Sequence, residues 1–262
     1  MSNKTNIILF IFLTFLITWG IEIPAALASH GVLQLKVPRM LNQFATFSPG
    51  VVAILLSIIN IKEGGFKKLI KGVMKFKVPF KAYGFAIFTG SIVAGISLVI
   101  YSLLFKSPIS LLPFYTLFIY LLLFFFFSPF WEELGWRGYL LPCLLTKFNS
   151  LKSSLIIGFI WAMWHLPIFF VLNNNGDQTP MFTFLIFIGC FPLSILFTRL
   201  YNYTRGSIFL CMLFHDGINS GIGYFLGNSK SNDVRGIAIS VIIFFILSFF
   251  ALKKLNNSQQ LR

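Results

Sequence analysis

The sequence predicts an all-α fold: a polytopic integral membrane bundle of about eight transmembrane helices around a buried polar site. Three observations predict it. The 262 residues are 57% hydrophobic and 11% charged, against about 25% charged in a soluble domain. Apolar runs of about 18 or more residues, long enough to cross a bilayer as helix, recur at about 6–28, 43–61, 82–105, 112–131, 153–172, 181–199, 206–226 and 236–252. Three of these runs carry polar groups at membrane depth, where a charge costs at least ~2.5–3.5 kcal/mol and is usually functional.

The first run is interrupted near its end by Glu22 and Pro24, and Ala26-Leu27-Ala28 ahead of Ser29 is spaced like a signal-peptidase site. The run is long for a signal peptide, so a retained helix is expected. Glu22 has no evident partner and reads as an interfacial or packing residue. After the second run, residues 63–77 alternate lysines with Phe66, Leu69, Ile70, Val73, Met74 and Phe76, a pattern that fits an amphipathic helix on the inner leaflet as well as a topogenic loop. The fourth run, rich in Leu and Phe, is expected to continue through Glu132 to Leu145. Pro167 is expected to break or kink the fifth just beyond His165. Linkers are short and no soluble domain is present.

The net charge of +14 invites a nucleic-acid reading, but the basic residues sit in loops between apolar runs, without the aromatic interleaving of a nucleic-acid surface. No nucleic-acid partner is expected. With the N-terminus in the cytoplasm and eight helices alternating, 15 of the 21 Lys and Arg fall inside and five outside, with Arg137 set apart. This agrees with the positive-inside rule and predicts a multi-pass cell-membrane protein with both termini cytoplasmic. Cys143, Cys190 and Cys211 lie in apolar stretches without CxxC spacing and read as small core hydrophobes.

The polar residues fall into three groups. In Trp131-Glu132-Glu133-Leu134-Gly135-Trp136-Arg137, Glu133 and Arg137 are i and i+4 on a helix and can pair, while Glu132 points about 100° away. A carboxylate in a water-poor pocket can serve as general base toward a trapped water; an interfacial charge cluster at a helix end is the plainer alternative. In Trp161-x-x-x-His165, the two residues share a helix face. In His215-x-x-x-Asn219, both side chains face one way and could donate to a developing oxyanion. Taken alone, that last pair reads first as hydrogen bonding between membrane helices.

Together and in this order, Glu132-Glu133-x-x-x-Arg137, Trp161-x-x-x-His165 and His215-x-x-x-Asn219 resemble the three motifs of the CPBP family. These are the CAAX proteases and bacteriocin-processing (Abi-type) intramembrane proteases, including the type II prenyl endopeptidases. The resemblance covers 112–226, the expected core domain, between N-terminal helices with their basic loop (1–111) and a last helix with its basic tail (227–262). It implies an intramembrane endopeptidase acting on a membrane-associated substrate, either a CAAX-type protein, prenylated or not, or a bacteriocin-like peptide. Glu132 would activate water with help from His165, His215 and Asn219 would form the oxyanion site, and Glu133 and Arg137 would support the first helix. Two mechanisms stay open: a glutamate-dependent one without catalytic metal, and one using a divalent metal such as Zn on Glu132, His165 and His215. Trp161 departs from the Phe common in the family's second motif, and Asp216 adds an acid beside His215. The rival readings are a non-catalytic immunity or scaffolding protein on the same fold, and a transporter with a polar path.

Overall fold

The computed structural model describes residues 3–59, 65–172, 180–227 and 233–257, and every regular element in them is helical. α1 (Asn3–Ser29) leads through the short α2 (Arg39–Ala45) to α3 (Ser48–Ile59), followed by α4 (Gly65–Val73) and the long α5 (Phe80–Phe105). α6 (Tyr115–Phe127) breaks at Ser128 into α7 (Pro129–Gly135), which passes through a π-helical turn, Trp136–Leu140, into α8 (Leu141–Leu145). α9 (Ser150–Trp164) ends in a 3-10 turn at Pro167–Phe170, and α10 (Pro180–Tyr203), α11 (Ile208–Phe225) and α12 (Arg235–Asn257) complete the bundle.

The helical class is as expected; a count of about eight spans is not reached among the described residues. Five of the described helices are long and apolar enough to cross a membrane, or six if α6 and α7–α8, which meet at a 40° bend, form one broken span. Segment 43–61 falls short because α3 has only 12 residues. Segment 206–226 forms the 18-residue α11, but His215, Asp216 and Asn219 lower its hydropathy. Residues 60–64 lie outside the described residues, and with them Lys62, the end of segment 43–61 and the start of segment 63–77. Lys230 and Arg262 lie outside as well.

α6 buries none of its residues. A helix apolar all round with no buried face is solvated by lipid. The inner helices meet through small residues, as membrane helices do when van der Waals packing drives association. Gly217 and Gly221 of α11 sit against Gly90 and Ser91 of α5, and a Cβ on Gly221 would lie 2.7 Å from the Ser91 backbone. This contact holds α11 close to α5 and fixes the face that carries His215. On the other side, Gly135 of α7 lies against Pro49 of α3, where a Cβ would come within 2.7 Å of backbone. α4 is amphipathic: Leu69, 2% exposed, docks with Leu134, Ile208 and Met212, while Lys67, Lys68 and Lys71 stay exposed. α9 and α11 start at side-chain caps, Asn149 accepting from the Lys152 N–H at 2.8 Å and Ser207 from the Leu210 N–H at 3.2 Å.

Candidate functional site

The site begins where α6 breaks. Ser128 leaves helical geometry (φ −141°) and Pro129 opens α7 at its first position, where its missing N–H costs nothing. The break turns the next helix inward and places Ser128 one turn before Glu132. Glu132 is 2% exposed. Its Oε1 accepts from Ser128 Oγ at 2.6 Å, and its Oε2 accepts from Trp161 Nε1 at 2.8 Å and, more weakly, from Trp136 Nε1 at 3.4 Å. Three donors from two helices thus hold one carboxylate in a fixed orientation.

Glu133 faces the other way and pairs with Arg137, whose Nη1 donates to both carboxylate oxygens at 2.8 and 3.0 Å. Both side chains are fully buried. The other guanidinium nitrogens lack hydrogen-bond partners. Instead the guanidinium lies 3.8 Å from the Phe197 ring centroid and 5.2 Å from that of Trp161, so aromatic faces replace water around the charge. Glu133 Oε1 also accepts from His215 Nδ1 at 2.8 Å. A carboxylate only accepts, so Nδ1 carries the hydrogen and Nε2 is the nitrogen left for other work. Glu133 therefore ties α7 to α11 and orients the imidazole.

His165 caps the C-terminal end of α9. Its ring lies 4.6 Å from Trp164 and 5.9 Å from Trp161, centroid to centroid. Glu132 is within electrostatic reach of both His165 and His215. A chamber of about 200 Å³ opens beside the carboxylate, and Ser128, Glu132, His165, His215 and Asn219 all line it. Its remaining walls are mostly apolar, including Leu193 of α10, Ile218 of α11 and Phe244 of α12, with Ser240 of α12 the exception. Asp216 does not line the chamber; it is 3% exposed and accepts from Ser220 Oγ at 3.3 Å. Glu22 is a packing residue, 3% exposed with a backbone hydrogen bond from Ile168.

The residues present do not assemble the metal site that Glu132, His165 and His215 suggested. Among the described residues no three His, Cys, Asp or Glu side chains come together as a ligand set. Both oxygens of Glu132 already accept hydrogen bonds from Ser128 and Trp161.

Three participants escaped the sequence reading: Ser128, Trp136 and the indole N–H of Trp161. Ser128 and Trp136 stand one turn before and one turn after Glu132, a spacing that signals side-chain pairing. Trp161 was singled out only for its helix face and as a departure from Phe; its bond crosses from α9 to α7 and had no local signature.

Fold and site define a class: a polytopic helical membrane protein with a buried carboxylate held by hydroxyl and indole donors, facing two imidazoles and an amide across an apolar chamber. Residues 114–221 match the family described as type II CAAX prenyl endopeptidase Rce1-like. It is 37% identical over 94 residues to CAAX prenyl protease 2 of Methanococcus maripaludis, covering 34% of each chain. It is 28% identical over 141 residues to lysostaphin resistance protein A of Staphylococcus haemolyticus, covering 49% of this chain and 36% of that one. The chain thus spans about a third of the length of the curated relatives it matches.

Proposed function

We propose that this protein is an intramembrane endopeptidase in which Glu132 activates a water molecule. The observation that carries this reading is the position of the Glu132 carboxylate: buried, held by Ser128 and Trp161, and open to a chamber it shares with His165, His215 and Asn219. Glu132 takes a proton from water as the oxygen adds to the scissile carbonyl carbon, with His165 orienting that water. The oxyanion that forms accepts hydrogen bonds from His215 Nε2–H and the Asn219 amide. Glu132 then returns its proton to the amine as the C–N bond breaks. Glu132 and Glu133 are two negative charges against the single positive charge of Arg137, so a proton on each nitrogen of His215 balances the cluster and makes Nε2 a donor.

The mostly apolar chamber walls and the likeness to the CAAX prenyl protease 2 of M. maripaludis favour a membrane-associated substrate with an apolar modified end, a prenylated CAAX-type protein being the first to test. The core of the activity lies in 112–226, but α12, beyond that boundary, supplies Phe244 to the chamber wall. The distribution of Lys and Arg supports a location in the cell membrane with both termini cytoplasmic, which requires an even number of spans, such as the six counted when α6 and α7–α8 form one. The test is mass spectrometry of a prenylated CAAX peptide incubated with the protein in liposomes, with Glu132→Gln and His165→Ala alongside. Cleavage after the prenyl-cysteine that both substitutions abolish is the expected result, and it should persist in chelator. Cleavage retained by both variants would overturn the assignment. The likeness to a lysostaphin resistance protein favours one second reading, a non-catalytic immunity or scaffolding role; in that case a resistance phenotype would survive both substitutions.

A further inference from the structure

A second, larger cavity of about 460 Å³ lies at the end of the bundle where the basic segments converge. Its size is that of a small-ligand pocket. Lys68 and Lys71 of α4, Lys75 just beyond it and Arg205 in the α10–α11 turn line it, with Tyr139 and Thr146 among its polar wall residues. No Asp or Glu is among its described lining residues.

Four cations around one concavity repel each other, so the fold must hold them there. Leu69 anchors α4 between Ile208 and Met212 and fixes its register. Lys75 Nζ donates to the Arg205 carbonyl at 2.6 Å, and Ser207 Oγ donates to the Lys75 carbonyl at 2.8 Å. These bonds stitch the end of the basic segment to the α10–α11 turn. Arg205 itself has φ +53°, followed by Gly206 at +94°. This is the left-handed turn that closes α10, with the Gly206 N–H bonded to the Tyr201 carbonyl and the Arg205 N–H to that of Asn202, and it sets Arg205 in the cavity wall. A basic stretch serving only to orient helices needs no cavity.

We propose that this cavity binds a phosphate group, carried by the headgroup of an anionic phospholipid in the adjacent leaflet or by a soluble phosphate. Arg205 supplies a planar donor fork suited to phosphate oxygens, and the lysines supply point charges. The inference is independent of the peptidase reading, since the site shares no lining residue with the chamber beside Glu132.

Native mass spectrometry of the detergent-purified protein tests it, with phosphatidylglycerol as probe and zwitterionic phosphatidylcholine as reference. The Lys71→Gln/Arg205→Asn double variant removes two cavity charges, with Asn chosen to tolerate the left-handed conformation. Lys67→Gln/Lys77→Gln removes two charges that do not line the cavity. Wild type and the second pair should retain one phosphatidylglycerol, with roughly thirtyfold weaker binding in the first pair. Titration with inorganic phosphate separates the sources: displacement of the lipid by millimolar phosphate assigns the site to a soluble phosphate, and resistance to it assigns the site to the headgroup. Equal losses in both pairs, or no preference for phosphatidylglycerol over phosphatidylcholine together with no effect of phosphate, would reduce the cavity to a diffuse band of charge and overturn the proposal.

Discussion

Trp161, on α9, donates its indole N–H to Glu132, on α7, at 2.8 Å. The bond joins two of the three motif segments. It also accounts for an aromatic residue with an N–H at a position where the family resemblance leads one to expect Phe. Trp161 is 4% exposed and its ring meets His215 edge-on at 5.4 Å, so one side chain fills the space between carboxylate and imidazole while satisfying the former.

Trp161→Phe keeps an aromatic ring and removes the donor. A hydrogen bond to a charged group contributes about 1.5–3 kcal/mol, so peptide hydrolysis is expected to fall roughly 10- to 100-fold in kcat, with the helical content of the detergent-solubilised protein unchanged. Steady-state kinetics and circular dichroism check this. A Phe variant with full activity would show that Ser128 and Trp136 suffice to orient Glu132.

The Glu133–Arg137 pair is fully buried, and breaking such a pair from one side leaves an uncompensated charge. Arg137→Met is expected to destabilise the protein by about 3–5 kcal/mol, read as thermal unfolding in detergent. Glu133→Gln/Arg137→Met together should cost less than Arg137→Met alone, because no lone charge remains. Arg137→Lys should rescue poorly, since an ammonium cannot both reach Glu133 and lie flat on Phe197, 3.8 Å away. If the double variant is as unstable as the single one, aromatic packing rather than charge pairing dominates this corner.

The Glu133–Arg137 pair was legible in the sequence because it is local: a spacing of four on a helix brings the side chains together wherever the helix goes. The same logic placed His215 and Asn219 on one face, and Pro167 marked the end of α9. Three features were not legible. The Glu133–His215 bond joins residues 82 apart in sequence, and only the close α5–α11 and α3–α7 contacts decide that those faces meet. The donors to Glu132 were hidden because Ser and Trp in an apolar run look like packing. The number of spans was not legible because an apolar run shows where a helix lies, whereas its length depends on breaks such as the one at Ser128 between α6 and α7.

The α5–α11 contact offers a paired test on one helix. A Cβ on Gly90 would collide with the backbone of Gly217 and Ile218, whereas one on Gly84 meets nothing within 4 Å. Backbone cannot shift as a side-chain end can, so Gly90→Ala is expected to destabilise by about 1–3 kcal/mol. Gly84→Ala, relieved of glycine's backbone entropy, should be neutral or stabilising by up to about 1 kcal/mol. Thermal unfolding of the two variants side by side separates them, and equal values would mean that α5 and α11 are not in close contact.

His165 sits at the end of α9, where a helix frays unless something holds it, and α1 does so. Trp164 Nε1 donates to Thr18 Oγ1 at 2.7 Å, Trp19 Nε1 donates to the Trp164 carbonyl at 3.3 Å, and the Trp164 ring lies 4.6 Å from that of His165. The segment outside the motifs thus fixes the position of a residue inside them. Thr18→Val preserves shape but leaves the indole N–H of a buried Trp without its acceptor, a loss of about 1–3 kcal/mol. Part of that should appear as a lower unfolding temperature. The rest should appear at the site, as roughly a fivefold drop in kcat with KM nearly unchanged, because a displaced imidazole misorients the attacking water without altering the apolar walls that hold the substrate. Thr18→Ser keeps the acceptor and should restore both. A Thr18→Val protein that unfolds earlier yet turns over at the wild-type rate would make α1 a brace for the bundle and no more.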